Sequence, residues 1–165
     1  MAVPPLEALV AAGHDVALVV TSLDRKRGRG GALSPTPVKA AAQALGLPVS
    51  HDIDDVTSVG ADLGVVVAFG RLIRPHVLAA VPMVNLHFSL LPRWRGAAPV
   101  ERALLAGDTE TGVCLMQLDE GLDTGPVYSN VRVPIGDRTT DDDVRAELVR
   151  LGTQQLVDEI GRAHV

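Results

Sequence analysis

Residues 63–87 read LGVVVAFGRLIRPHVLAAVPMVNLH, and this stretch decides the fold class. The apolar run Leu63–Phe69 is short and rich in valine, which is typical of a strand buried on both faces in a parallel sheet. Met83–His87 is a second strand-like run, and Pro75–Val81 between them fits a short helix. A strand, a helix and a second strand in this order predict a parallel βαβ unit.

The same alternation continues on both sides of this unit. The sequence predicts helices over 4–12, 36–46 and 99–106 and one beginning at Thr140, with strands over 16–21, 112–118 and 127–133. Pro126 and Pro134 bracket the last strand, which suits a sheet edge. We therefore expect an α/β protein with a Rossmann-like, doubly wound, mostly parallel sheet that becomes more antiparallel towards its C-terminal end. Such a unit normally opens with its central strand, whereas this chain opens with a helix, so we expect the sheet to lack a strand in its middle.

Length and composition limit the remaining possibilities. The 165 residues are 47% hydrophobic and 21% charged, which predicts one globular domain over 1–165 with no internal boundary. Aromatic residues make up only 2%, so the core must consist of smaller aliphatic side chains. A net charge of −5 excludes a protein that binds nucleic acid over its whole surface and leaves room only for local contacts.

Cysteine content and hydropathy point to a cytoplasmic protein. Cys114 is the single cysteine and lies in an apolar run, which predicts a buried core thiol with neither a disulfide nor a zinc site. We expect no metal. No apolar segment is long enough to cross a membrane, so we do not expect the protein to have a membrane as a partner.

Polar residues that follow the strands are the candidates for chemistry, because ligands of open α/β sheets bind beyond the carboxyl ends of strands. Asn85 and His87 are two residues apart on one strand, so their side chains share a face. A carboxylate from residues 119–125 could orient the imidazole, while Asn85 offers a donor to a developing oxyanion. An Asn, His and Asp set without a nucleophile suits direct transfer to an amine. The alternative is a structural histidine with Asn and Asp as turn formers.

Two motifs carry a resemblance to a known family. Asn85-Leu86-His87-x-Ser89-Leu90-Leu91-Pro92-x-x-Arg95-Gly96, followed by Asp119-x-Gly121-x-Asp123-Thr124-Gly125, resembles the signature of the folate-dependent formyltransferases. Within them, Asp24-Arg25-x-x-Gly28-Arg29-Gly30 leading to Ser34-Pro35-x-Pro37-Val38-Lys39 is similar to the tRNA-contacting loop of the methionyl-tRNA formyltransferases. The resemblance covers the chain from about Val3 to about residue 155.

The resemblance implies the formyltransferase fold and transfer of a formyl group from 10-formyltetrahydrofolate to the α-amine of methionyl initiator tRNA. Asn85, His87 and Asp123 match the family's catalytic positions. The folate contacts that it implies are Phe69, Gly70, Arg71, Leu72, Ile73, Ser89, Leu90, Leu91, Pro92, Glu120, Gly121 and Leu122. The alternative acceptor is a small-molecule amine, on a sugar nucleotide or glycinamide ribonucleotide, and a further alternative is an inactive fragment.

A cationic, glycine-rich loop is the candidate tRNA contact. Phosphate contact is the physical use of such a patch, because each cation can neutralise a phosphate and release counterions, and the alternative is a solvated basic loop. Its cations are Arg25, Lys26, Arg27 and Arg29. Compared with the pattern of the family that it resembles, we expect the chain to lack the opening strand before Val3 and the OB-like C-terminal domain of the methionyl-tRNA members. We expect a monomer that is weakened in tRNA binding.

Other polar residues have ordinary explanations. Asp141, Asp142 and Asp143 fit the acidic first turn of a helix better than a cation site. Trp94 either stacks on substrate or packs within its loop. His51 and His76 have no partner that the sequence identifies.

Overall fold

The computed structural model describes residues 1–26 and 33–163, with side chains for all of these except residues 25, 26, 162 and 163. The helices are α1 (Val3–Ala11), α2 (Pro37–Ala44), α3 (Pro75–Ala80), α4 (Pro99–Leu105) and α5 (Asp141–Ala163), with a 3-10 helix over Ile53–Ser58. The strands are β1 (Val19–Val20), β2 (Arg25–Lys26), β3 (Leu33–Ser34), β4 (Val49–Ser50), β5 (Gly64–Val67), β6 (Met83–His87), β7 (Glu110–Gln117) and β8 (Val127–Pro134).

The strands form a split α/β sheet. β1 pairs in parallel with β4, and a second sheet has the order β5-β6-β7-β8, in which β5 and β6 are parallel and the later pairings are antiparallel. This confirms the antiparallel C-terminal part, and β8 is an edge strand as its flanking prolines predict. Among the described residues β1 and β5 are not hydrogen-bonded to each other, so β1 with β4 and β5 to β8 form two separate sheets.

Two strands differ from their predictions because the sheet is split. Residues 16–21 are predicted as a strand, but only Val19–Val20 pairs, since β4 offers just two residues and no described strand pairs with the other edge of β1. The prediction that Leu63–Phe69 is buried on both faces is also wrong. All four residues of β5 are only partly buried, because β6 is its one described partner.

Helices cover the four-stranded sheet unequally. On one face the main core joins α1, α4 and α5 to alternate residues of the strands, including Val84, Leu86, Val113 and Leu115, and Leu148 of α5 is part of it. On the other face a smaller cluster of Val77, Val81 and Met83 lies under α3. None of the helices in the described residues combines the length and apolarity needed to cross a bilayer.

The helix ends follow their sequence signals. Thr36 caps α2 by accepting a hydrogen bond from the Lys39 backbone amide at 3.1 Å. At the start of α5, the Asp143 carboxylate accepts from Thr140 while the Thr140 hydroxyl accepts from the Asp143 amide. These bonds lower the pKa of Asp143. The acidic residues 141–143 therefore form a helical first turn, as predicted.

Candidate functional site

The alternation along β6 divides it into a core face and a polar face. Val84 and Leu86 belong to the main core, so Asn85 and His87 lie on the opposite face, with Met83. The small cluster of Val77, Val81 and Met83 packs on this face. Asn85 is 9% exposed and His87 is 6% exposed. The strand thus places an amide and an imidazole on one face of the sheet, both largely buried, as the spacing predicts.

His87 is held by an acceptor at each ring nitrogen. Its Nε2 lies 3.0 Å from the Trp94 carbonyl oxygen, and its Nδ1 lies 3.4 Å from Oδ2 of Asp123. A neutral imidazole can donate from only one nitrogen, whereas the imidazolium donates from both. The arrangement holds the ring between two acceptors, and it brings together the His and Asp that the sequence pairs.

Asp123 reaches His87 by a route that the sequence does not reveal. β7 runs antiparallel to β6, with Gln117 opposite Val84 and Cys114 opposite His87. The end of β7 therefore lies about 10 Å along β6 from His87, at the rise of an antiparallel strand. The loop of residues 118–126 runs back over that distance. Because β6 and β7 are antiparallel, their carboxyl ends lie at opposite edges of the sheet, so the rule that places ligand sites at the carboxyl ends of parallel strands does not predict this contact. The Gly96 amide then donates to Oδ2 of Asp123 at 2.7 Å.

The returning loop is closed by its own motif. The Asp119 carboxylate accepts from the Gly121 amide at 3.0 Å and from the Thr124 hydroxyl at 2.8 Å, and the Gln117 amide donates to the Pro126 carbonyl. A Cβ on Gly121 would meet the Thr124 hydroxyl, and one on Gly125 would meet the Gln117 carbonyl oxygen. The motif spacing thus builds a tight loop that presents Asp123.

Backbone strain is concentrated around the site. In the described residues, left-handed φ angles at non-glycine positions occur at Ala68 after β5, at Trp94 and Ala98 after β6, and at Asp123 after β7. Bulky residues rarely adopt this conformation, so the surrounding contacts must hold them there.

Cys114 lies directly opposite His87 in the β6–β7 register, on the same face. It is 2% exposed, as the buried thiol prediction requires, and burial raises the pKa of that thiol. A buried thiol with a raised pKa carries little thiolate and is a poor nucleophile. Its proximity to His87 therefore does not make a Cys–His nucleophile pair, which leaves direct transfer as the chemistry that fits.

The loop after β5 is an open rim. Leu72 is 76% exposed, and the Arg71 guanidinium lies over the Phe69 ring at 4.4 Å from its centre. Ile73 packs against the cluster under α3, and Gly70 has a left-handed φ of 69°. Residues 70–72 of this loop are exposed, which is compatible with the predicted pterin contact of 69–73, and that contact stays a prediction.

The other predicted folate residues divide between a buried turn and an exposed loop. Ser89 is fully buried, and its hydroxyl donates to the Arg93 carbonyl at 2.6 Å, so this side chain shapes the turn. Leu90 lies against Gly112 of β7, the peptide bond between Leu91 and Pro92 is cis, and Pro92 is exposed. Glu120, Gly121 and Leu122 are exposed.

The predicted tRNA cations are only partly described. The backbone of Arg25 and Lys26 forms β2, which pairs with β3 as an antiparallel ribbon. Arg27 and Arg29 lie outside the described residues. Asp24, which directly precedes the ribbon, is tied to the first turn of α2, because the Lys39 ammonium lies 2.8 Å from its carboxylate.

Two contact networks escape sequence reasoning. The Trp94 ring has the Arg93 and Arg102 guanidiniums at 4.3 and 5.0 Å from its centre, which supports packing within its loop rather than a free stacking surface. His76 pairs with Asp54 at 3.0 Å, and Nδ1 of His51 lies 2.9 Å from the Thr21 carbonyl. These partners are 22 and 30 residues apart in the sequence, and no periodic pattern predicts that they pair.

A sheet face on which an amide, an imidazole and a carboxylate converge beside an open rim defines a site for acyl-type group transfer. The family model described as formyl transferase matches residues 4–160, and the chain belongs to this family.

Individual relatives agree with this assignment. The chain is 47% identical over 167 residues to the methionyl-tRNA formyltransferase of Symbiobacterium thermophilum, covering 95% of this chain and 51% of the relative. It is 49% identical over 172 residues to the methionyl-tRNA formyltransferase of Clavibacter sepedonicus, covering 97% and 56%. The chain thus spans about half the length of the curated relatives it matches.

A solved structure shows the same fold. The phosphoribosylglycinamide formyltransferase of Streptococcus pneumoniae superimposes with a TM-score of 0.82 at 21% identity, covering 98% of this chain and 93% of that one. The predicted formyltransferase fold is confirmed.

Proposed function

We propose that the chain catalyses transfer of a formyl group from 10-formyltetrahydrofolate to the α-amine of methionyl initiator tRNA, in the cytoplasm. The observation that carries the proposal is the approach of Asp123 to His87 on the polar face of β6, beside Asn85. Similarity to relatives named methionyl-tRNA formyltransferase, at 47–49% identity, supports the choice of acceptor.

The site residues have distinct roles in this reaction. The amine nitrogen attacks the formyl carbon, and the oxyanion that develops accepts hydrogen bonds from the Asn85 amide and from Nδ1 of His87. Nδ1 is the ring nitrogen that can turn to the oxyanion, because its contact with Asp123 is long, at 3.4 Å, whereas Nε2 is engaged by the Trp94 carbonyl at 3.0 Å. The bond from the formyl carbon to N10 of the folate then breaks, the amine loses a proton and N10 gains one. Asp123 orients the His87 ring and takes part in this proton transfer.

The first test is formylation by the purified 165-residue chain. We expect formylmethionyl-tRNA to form from 10-formyltetrahydrofolate and methionyl initiator tRNA, and the same preparation to melt cooperatively. Formation of this product would mean that the folate and the amine meet at the polar face of β6. Product is measured by acid-quenched assay and stability by thermal melting.

An acceptor screen distinguishes the alternatives. Transfer to glycinamide ribonucleotide or to a sugar-nucleotide amine, with none to tRNA, contradicts the acceptor but keeps the formyl-transfer chemistry. A cooperative melt with no transfer to any acceptor contradicts the activity itself, and a chain that fails to melt cooperatively is the inactive fragment.

The basic loop gives a second prediction, which concerns the acceptor alone. We expect Arg29→Ala to raise the KM for tRNA and to reduce the salt dependence of tRNA use by about one unit of log K per log salt for a lost phosphate contact. Binding of 10-formyltetrahydrofolate should not change. The measurement is kcat/KM at several salt concentrations beside folate titration.

The matched control for the loop is Arg138→Ala, which removes an exposed cation from the turn between β8 and α5. Equal salt slopes for Arg29→Ala and the unsubstituted chain would show that the loop is solvated surface only.

A further inference from the structure

The turn between α4 and β7 places one carboxylate behind the loop that follows β6. Asp108 accepts three hydrogen bonds from that loop: Nε of Arg93 at 2.8 Å, Nη2 of Arg93 at 2.6 Å, and Nε1 of Trp94 at 2.7 Å. Its side chain is 14% exposed. The bonds from Arg93 and Trp94 lower the pKa of Asp108 to about 2, so the carboxylate is charged throughout the neutral range.

Asp108 fastens a residue whose backbone touches His87. Trp94 has a φ of 61°, a conformation that its bulk disfavours, and in this conformation its carbonyl oxygen lies 3.0 Å from Nε2 of His87. The Ser89 hydroxyl holds the neighbouring Arg93 carbonyl, and Arg102 donates to the Arg95 carbonyl at 2.7 Å. Every one of these bonds keeps the turn in the shape that turns the Trp94 carbonyl towards the ring.

The hydrogen bond between Nε2 of His87 and the Trp94 carbonyl determines which ring nitrogen of His87 serves the reaction. With Nε2 donating to the Trp94 carbonyl, Nδ1 faces Asp123 at 3.4 Å. If the Trp94 carbonyl moved away, the ring would lose the contact that fixes its orientation, and Nδ1 would no longer be committed to the Asp123 side.

We propose that Asp108 is a positioning residue for formyl transfer, which acts through the Trp94 side chain to hold the Trp94 carbonyl against Nε2 of His87. The activity consequence rests on the proposed function, whereas the effect on the His87 ring does not. An ion pair between Arg93 and Asp108 that was only a surface contact would contribute little and would leave the ring unchanged.

Two substitutions test the link at different points. Asp108→Asn keeps the size of the side chain but loses the charge and one acceptor. Trp94→Phe removes the Nε1 donor, reduces the bicyclic indole to one ring and keeps an aromatic side chain between Arg93 and Arg102. The matched control is Glu110→Gln, two residues after Asp108 in the chain. This substitution removes the charge from an exposed ion pair with Arg132 that lies outside the loop after β6.

The readouts are the imidazole of His87 and the kinetic constants. We expect long-range proton–nitrogen NMR of the whole chain, with His87 assigned by its loss in His87→Gln, to show a protonated Nε2 that exchanges slowly. In Asp108→Asn and Trp94→Phe this signal should exchange faster and shift. The kcat for formyl transfer should fall on the order of 10- to 100-fold, with KM values within about twofold, as expected for a small misplacement of a catalytic group.

The outcomes separate the two proposals. A changed His87 signal in both variants and an unchanged one in Glu110→Gln support the positioning role, even in a chain that transfers no formyl group. An unchanged His87 signal in Trp94→Phe overturns it, even in an active chain. Because Trp94→Phe leaves Asp108 charged and bonded to Arg93, it remains informative if Asp108→Asn does not fold.

Discussion

Replacement of His87 by glutamine is expected to reduce the kcat for formyl transfer about 10³-fold, the range for loss of an acid–base group and an oxyanion donor. A glutamine amide can still donate to the Trp94 carbonyl from about the position of Nε2, so the turn after β6 keeps its anchor. It has no counterpart to Nδ1 and cannot carry a proton between Asp123 and the reacting atoms. Thermal melting should therefore change little while single-turnover transfer collapses.

Cys114→Ala is the control for this substitution, because Cys114 lies opposite His87 on the same sheet face. Direct transfer requires no thiol, so turnover of Cys114→Ala should stay within about threefold of the unsubstituted chain, although loss of the buried sulfur will lower stability by about 1 kcal/mol. Turnover of His87→Gln within tenfold of normal would contradict the mechanism. A collapse in Cys114→Ala, with the fold intact, would indicate a covalent intermediate instead.

The polar half of the site could be predicted from sequence because it depends on local rules. The bounds of β6 coincide with the predicted strand, Met83–His87, and a period of two suffices to place Asn85 and His87 on one face. In MVNLH the residues that alternate with these two are apolar, which fits the main core on the reverse side. Local chemistry also predicts the Thr36 cap and the acidic first turn of α5.

The remaining half depends on topology, which a local pattern does not encode. The approach of Asp123 to His87 requires that β7 be antiparallel and that its following loop double back, and only the spacing of Asp119, Gly121 and Gly125 hints at so tight a loop. The pairing of Asp108 with Arg93 spans 15 residues and has no periodic signal. The partial burial of β5 likewise reflects the absence of a second described partner, which its valine-rich sequence does not reveal.

Asp123→Asn is expected to lower kcat on the order of 10³-fold, while binding of 10-formyltetrahydrofolate and thermal stability stay close to normal. Asparagine tolerates the left-handed backbone that Asp123 adopts at a φ of 51°, and its amide oxygen can still accept the Gly96 amide. The substitution therefore removes the negative charge beside Nδ1 of His87 and leaves the loop in place. Single-turnover kinetics, folate titration and thermal melting measure the three quantities.

Comparison with Asp123→Ala separates the charge from the geometry. Alanine loses the Gly96 bond as well and is strained at a positive φ, which should lower stability by about 1–2 kcal/mol beyond the asparagine variant. The kcat of the two variants should nevertheless be similar, because the lost charge limits both. Asp137→Asn, in the exposed turn before α5, controls for a change in net charge. If Asp123→Asn kept normal turnover while Asp123→Ala lost it, Asp123 would serve only to hold Gly96, and His87 would work without a partner carboxylate.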